Sequence, residues 1–477
     1  MKKYVFLLPL LILALSACED YATPSSSPQT FSMSTKSSVE DLSLAQIDDP
    51  IVFITEDNVS AWTSIVRLED RFKACNVPEL VVKRLSTNAL VKSALNYPMN
   101  YLVFAYDDPQ TAINLICDRS NLHKELLKRQ DAYRILVERF ALTDVDMSDT
   151  KSNFDQNYEV LSFCNEMFLE HFLSSGLFKE RLDKETLEIL MDAVRDKMER
   201  RLADASFSAN SIEPLISIDR SKNLNISSVS YVNVTGTVTV NTYFGASLVG
   251  YVNEDYSGAE IVQMNNTALQ MYPNAILRYS ATPKYNCHSF AWHNRNPNTN
   301  NVWLDSYYNG TLQLAKYWTN DLYVSSNSSE AKIALYTDAS HSAIVLSNGK
   351  YLSKWGQFPV MEHDPDYCPY DTSSMQYFTY RNDPLCALDV TGPMYPQAGE
   401  NAIYSVSNTH PGMTYDWTVT YMDNASITPG TYEVISSSST QCQLRFSNYG
   451  LYTVRFDGYI DGFNVAYGYF NAISVGE

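Results

Sequence analysis

The hydrophobic period changes once along this chain, near residue 206, and that change constrains the fold more than any other feature. Before it, apolar residues recur every three or four positions. Ile113, Ile116 and Cys117 lead into Leu122, Leu126 and Leu127, and Leu187, Leu190, Met191, Val194 and Met198 form a second stripe. Gly is nearly absent there. Breaks fall at Asn96-Tyr97-Pro98, Asp107-Asp108-Pro109 and Ser174-Ser175-Gly176. Residues 51–205 therefore read as about five or six helices in a bundle, with the stripes as its core. His123 and His171 stand alone in this region and read as structural or exposed.

After residue 206 the period shortens to two. Thr235-Gly236-Thr237-Val238-Thr239-Val240 is strand-like. A helix is expected over 258–271, where Ile261, Met264, Ala268 and Met271 share a face and Pro273 ends it. Strands return at Ile333–Tyr336, at His341–Leu346 and at Lys350–Trp355, the last two joined by Asn348-Gly349, a tight-hairpin signal. Beyond about 388 alternation dominates: Tyr415, Trp417 and Val419, then Leu444 and Phe446, then Tyr452, Val454 and Phe456. This last stretch, 388–477, resembles the Ig-like or PKD-like β-sandwiches of bacterial surface proteins. A chain of 477 residues accommodates about three such folded units.

The first residues read as an export signal. Lys2 and Lys3 precede an apolar run from Tyr4 to Leu15, too short for a membrane span. Leu15-Ser16-Ala17-Cys18 resembles a bacterial lipobox, which implies a signal peptide over 1–17 and lipidation of Cys18. Two or more acyl chains anchor stably. Glu19-Asp20 resembles the export signal of Bacteroidetes-type surface lipoproteins. Residues 18–50 are rich in Ser, Thr, Pro and Gln and read as a flexible tether. The implied location is the outer membrane or cell surface. With 35 Lys and Arg against 54 Asp and Glu, the net charge of −19 disfavours a nucleic-acid partner.

Eight cysteines are present. Without Cys18 the number is odd, so at least one thiol stays free, and Cys287 is the candidate. The others either pair or serve as small buried apolar groups.

Chemistry concentrates in Tyr285-Asn286-Cys287-His288-Ser289-Phe290-Ala291-Trp292-His293-Asn294. Cys287 follows turn-forming residues and opens a short helix, whose N-terminal dipole favours the thiolate. Its own N–H is placed to help hold an oxyanion. His341 heads an apolar strand and is followed by small residues, so its ring can lie against a neighbouring helix. This order resembles the NlpC-type and related papain-like cysteine peptidases and amidases. The resemblance covers roughly 230–385 and implies an α+β papain-like catalytic domain over 206–387. It implies Cys287 as nucleophile, His341 as base and a third polar residue further on. His363 is the choice for that third position, with Asp338, Asp364 and Asp366 as alternatives. Asn286-Cys287-His288-Ser289 stands where that family has Asp-Cys-Ser-Gly.

The expected activity is amide hydrolysis, most readily of peptidoglycan stem peptides, with a host or dietary protein as another substrate. No cofactor is expected. On residue types alone Cys287, His288, His293, His363 and Cys368 offer a metal site, but neither HExxH nor CxxC occurs. The rival reading is a non-enzymatic surface binding lipoprotein whose Cys/His region is structural.

Overall fold

A computed structural model describes residues 46–55, 58–145, 147, 160–178, 183–222, 224, 235–409, 412–421 and 431–475. The signal, the lipobox with Cys18 and nearly all of the tether lie outside the described residues.

Among these residues, eleven α-helices lie between Val59 and Lys222. That is about twice the number the periodicity predicts, because many, such as Glu79–Arg84 and Leu102–Ala105, are one or two turns long. A stripe analysis needs longer windows to register them. The helical part also runs past the expected edge at 205. Glu213–Lys222 buries Leu215, Ile216 and Ile218 in the same core as the earlier helices.

The middle of the chain forms a seven-stranded sheet, antiparallel throughout. Its spatial order is Ile276–Tyr279, Val360–His363, Tyr351–Lys354, Ser342–Val345, Ile333–Tyr336, Met375–Tyr380, Tyr323–Ser326. The hairpin at Asn348-Gly349 is present, with Val345 opposite Tyr351 and Gly349 at positive φ. The helix Gly258–Met271 is present too. Ser257 caps it in a reciprocal capping box with Glu260, and Met264, Ala268 and Met271 are buried.

Both faces of the sheet are covered. Along Ile333–Tyr336, Ala334 and Tyr336 join the core shared with the helices, while Ile333 and Leu335 join the core on the other side. The helical region and the sheet therefore share one hydrophobic core. Helix Gly258–Met271 contributes Met264, Ala268 and Met271 to it. This layer is continuous with the sheet and is no detachable cover.

The C-terminal part is β-rich: two four-stranded sheets with a common core from Ala402, Tyr404, Leu444, Phe446, Tyr452 and Val454. The boundary expected at 388 cuts into this unit. Leu385–Cys386 already pairs, in parallel, with the strand Phe463–Ser474. Leu388, Val390, Phe456 and Val465 pack into the core on the outer face of the seven-stranded sheet, so the junction is a buried contact. No helix among the described residues is long and apolar enough to cross a membrane.

Candidate functional site

Asn286 organises the site. It is fully buried, and its amide oxygen accepts from the N–H of Ser289 (3.1 Å) and of Leu304 (3.2 Å). The first bond caps the short helix that begins at Cys287 and continues as a π-helical turn over Ser289–His293. The amide nitrogen donates to Leu304 O (2.7 Å) and to Asp107 Oδ1 (2.9 Å). An Asp at 286 could accept but not donate, and it would face a second carboxylate. Asn at this position thus has a local reason.

Cys287, His288 and Asp107 converge. One sulfur, one ring nitrogen and one carboxylate oxygen lie within 4.8 Å of one another. Cys287 and His288 are buried, and Asp107 is half-buried. The Nδ1 of His288 is 2.8 Å from Ser342 Oγ, which also accepts from Trp292 Nε1 (2.8 Å). Its Nε2 lies 3.4 Å from Asp107 Oδ2, an opposite-charge contact without hydrogen-bond geometry. Burial opposes the charge on this imidazole. Interactions with Cys287 and with the Asp107 carboxylate outweigh burial and raise its pKa to about 10.

His341 is also fully buried, but neither ring nitrogen has a hydrogen-bond partner among the described residues. Its ring stacks on Tyr370, with centroids 3.6 Å apart and planes 10° from parallel, and meets Tyr336 edge-on at 4.8 Å. Strand alternation separates it from its neighbour: His341 faces the two tyrosines, and Ser342 faces His288 and Trp292. Burial, reinforced by the charge of His288, holds the imidazole well below its ordinary pKa, so it is neutral. No hydrogen bond joins His341 to Cys287. A thiolate at Cys287 would act on Tyr370, the ring stacked against His341.

His363 does not hydrogen-bond His341. Its Nε2 is 2.8 Å from Ser353 Oγ and its Nδ1 is 2.8 Å from Asp364 O, so both nitrogens serve the sheet. Burial lowers its pKa to about 4. The alternatives for the third position also point elsewhere. Asp364 pairs with Lys350 (2.6 Å), Asp366 pairs with Arg67 (3.5 Å), and Asp338 is exposed. The set that residue types alone offered for a metal, Cys287, His288, His293, His363 and Cys368, is not assembled. Cys368 is buried beside Tyr336 and Pro365 O, and only Asp107, Cys287 and His288 converge among the described residues. A Cys/His/Asp set of this kind suits zinc, with Ser342 fixing the imidazole. His123 is buried, not exposed, with Nδ1 2.9 Å from Ser120 Oγ. All seven described cysteines are free, and Cys386 alone of them is exposed.

Sequence reasoning missed Asp107, which comes from the helical region. A signal existed in Asp107-Asp108-Pro109. Asp108 caps the helix Pro109–Arg119 by accepting from the N–H groups of Gln110 and Thr111. That leaves Asp107 with no local task. Its position is fixed from the sheet side. Gln357 N donates to Phe104 O (2.8 Å), and Tyr370 OH donates to Ala105 O (2.6 Å). Gly356 sits against the same carbonyls at φ +54°. Lys354 was missed as well: its buried ammonium donates to Thr282 O (2.8 Å), Gly356 O (2.6 Å) and Phe358 O (2.6 Å), clamping the loop before the motif.

One family model, described as a domain of unknown function (DUF7689), matches residues 277–373, a stretch holding Cys287, His288, His341 and His363 but not Asp107. No curated protein matches the chain.

Proposed function

We propose that this chain is a cysteine-dependent amide hydrolase, lipid-anchored through Cys18 and working outside the cytoplasm. On this reading the sheet, with its helix-start thiol and strand-head histidine, is a papain-like α+β domain. The C-terminal sheets are then an Ig-like spacer or binding unit. The observation that carries the reading is the convergence of Cys287, His288 and Asp107 at the start of a capped helix. The Asp107 carboxylate helps to keep His288 protonated, and an imidazolium favours a thiolate beside it.

The thiolate sulfur attacks the amide carbon, and the carbonyl electrons move onto oxygen, held by backbone N–H groups including that of Cys287. Collapse of the intermediate expels the amine, which takes a proton, and leaves a thioester on Cys287. Water then cleaves the thioester and restores the thiol. On this proposal His341, neutral and with both ring nitrogens unengaged, takes the thiol proton as the sulfur attacks and gives it to the departing amine. It then takes a proton from the attacking water and returns it to the sulfur as the carboxylic acid leaves. His288 is the fixed charge, and Asp107 takes the orienting role first given to His363. Peptidoglycan stem peptide is the substrate favoured by the cell-envelope location, with host or dietary protein as the other.

The test is the rate of Cys287 alkylation by iodoacetamide against pH, followed by mass. A reactive thiol that persists to low pH in the parent and is lost in His288→Gln supports the reading. A Cys287 that reacts only as an ordinary thiol, or not at all, returns the chain to the class of binding lipoproteins. A second reading rests on His288 Nε2, which is buried, lacks a hydrogen bond and faces Asp107. The three groups would then hold a zinc ion, and metal analysis of purified protein before and after chelation decides it.

A further inference from the structure

The proposed reaction brings an amide carbon to the sulfur of Cys287, and the folded chain keeps that sulfur from solvent. Cys287 is 1% exposed, and His288 and His341 are fully buried. A cavity of about 530 Å³ comes to the edge of the site without entering it. Asp107, Ser340 and Asp371 line it, whereas Cys287, His288, His341 and Tyr370 do not. His341 follows Ser340 and Tyr370 precedes Asp371, so at both points the chain passes from cavity wall to site within one residue.

Tyr370 stands at this boundary. One side of its ring lies flat on His341, and the ring meets Tyr106, which lines the cavity, with centroids 5.6 Å apart. Tyr370 belongs to the connection between strands Val360–His363 and Met375–Tyr380, which has no helix or strand of its own. Side chains strap this connection to the helical region. Tyr370 OH donates to Ala105 O (2.6 Å), Tyr367 OH donates to Thr63 O (2.9 Å), and Asp366 pairs with Arg67 (3.5 Å) at the surface. The other cover, the strip that carries Asp107, is fixed by backbone contact with Gly356 and Gln357. An irregular segment held through side chains opens at lower cost than strands tied by backbone ladders, so of the two covers the connection is the one able to move.

We propose that the 364–374 connection is a gate: the Tyr370 ring seals the site, and its withdrawal joins the cavity to Cys287 and His341. That the gate serves catalysis rests on the reading of Cys287 as nucleophile, but the local opening does not, and the two are tested apart.

Full-length parent, Tyr370→Phe and Tyr370→Ala are alkylated with iodoacetamide, and the adduct at each cysteine is followed by peptide mass. Cys386, which is exposed, gives the rate of an open thiol, and Cys164, fully buried in the helical core, reports unfolding. Tyr370→Ala is expected to speed Cys287 by on the order of tenfold or more relative to Cys386, with Cys164 unchanged. Tyr370→Phe keeps the ring and should stay within about twofold of the parent. A second measurement needs no substitution. In the parent, low urea should leave the Cys287 rate nearly flat while the Cys164 rate climbs, because local opening exposes little surface and unfolding exposes much. A common steep urea dependence of the two thiols overturns the gate, as does a Cys287 rate in folded Tyr370→Ala equal to that of the parent. A Tyr370→Phe rate as high as that of Tyr370→Ala overturns the assignment of the seal to the ring. A Cys287 that opens in Tyr370→Ala but follows the pH course of an ordinary thiol upholds the gate and removes the nucleophile.

Discussion

Gly356→Ala tests how the helical region reaches the site. Gly356 has φ +54°, and a Cβ built there would lie 2.5 Å from Phe104 O and closer still to Ala105 O. Both obstacles are backbone, so neither can swing aside. The neighbouring Gln357 N donates to Phe104 O at 2.8 Å, so separating the two segments also lengthens that bond. Left-handed backbone costs an alanine about 1–2 kcal/mol. Forcing a methyl into a packed contact adds about 1–3 kcal/mol. The expected loss is roughly 2–5 kcal/mol. Gly349→Ala is the control: φ there is +78° and nothing lies within 4 Å, so only the backbone cost of about 1–2 kcal/mol applies. Urea unfolding midpoints of both variants give the difference, and Cys287 alkylation rates report the site. Asp107 follows Phe104 and Ala105 on one short strip of chain, so Gly356→Ala should also draw Asp107 from His288 and slow alkylation. Equal midpoints for the two variants, or an alkylation rate in Gly356→Ala identical to the parent, would refute the claim that this strip is held against the sheet.

Asn286→Asp should slow alkylation of Cys287 by roughly tenfold or more and destabilise the fold, because it loses the donor to Asp107 and sets two carboxylates together. Rescue by Asp107→Asn in the same chain would identify the repulsion as the cause. His288 has its folded pKa raised from 6.5 to about 10, so its contribution is whole below pH 6.5 and is lost as pH rises through 10. Denaturant midpoints of the parent should therefore fall over that window relative to His288→Gln, and parallel pH profiles would contradict it. His123 has the opposite sign. Burial lowers its pKa to about 3, so stability present above 6.5 is lost as pH falls toward 3. His123→Phe should flatten that acid limb in circular dichroism. Deleting residues 51–205 should yield insoluble or unfolded protein and not a more active enzyme, since one core spans helices and sheet. A soluble, folded deletion product would show the layers to be separable. Cys18→Ser should shift the protein out of the membrane fraction, and unchanged fractionation with normal processing would defeat the lipid anchor.

Local sequence carried a good deal of this molecule. The change of period marks off a helical from a β-rich region because side-chain spacing of 3.6 or 2 is a property of the local backbone, although the helices run on to Lys222, past the expected edge at 205. The bounds of helix Gly258–Met271 and the hairpin at Asn348-Gly349 were legible for the same reason: caps and turns are satisfied by neighbours within four residues. The motif around Cys287 also announced itself, because a turn, a thiol and a helix start are contiguous. What the sequence could not place were partners separated by long stretches of chain. Asp107 meets Asn286 across 179 residues, and Ser342 meets His288 across 54. His341 and Ser342 are adjacent in sequence, yet strand alternation sends them to different surroundings, which only the assembled sheet reveals. His363 looked free to orient another ring until Ser353 and the Asp364 carbonyl took both its nitrogens. Local periodicity thus determined the longer elements. Which buried charges face one another was decided by packing, because Coulomb and hydrogen-bond partners are chosen by distance in space, without regard to distance along the chain.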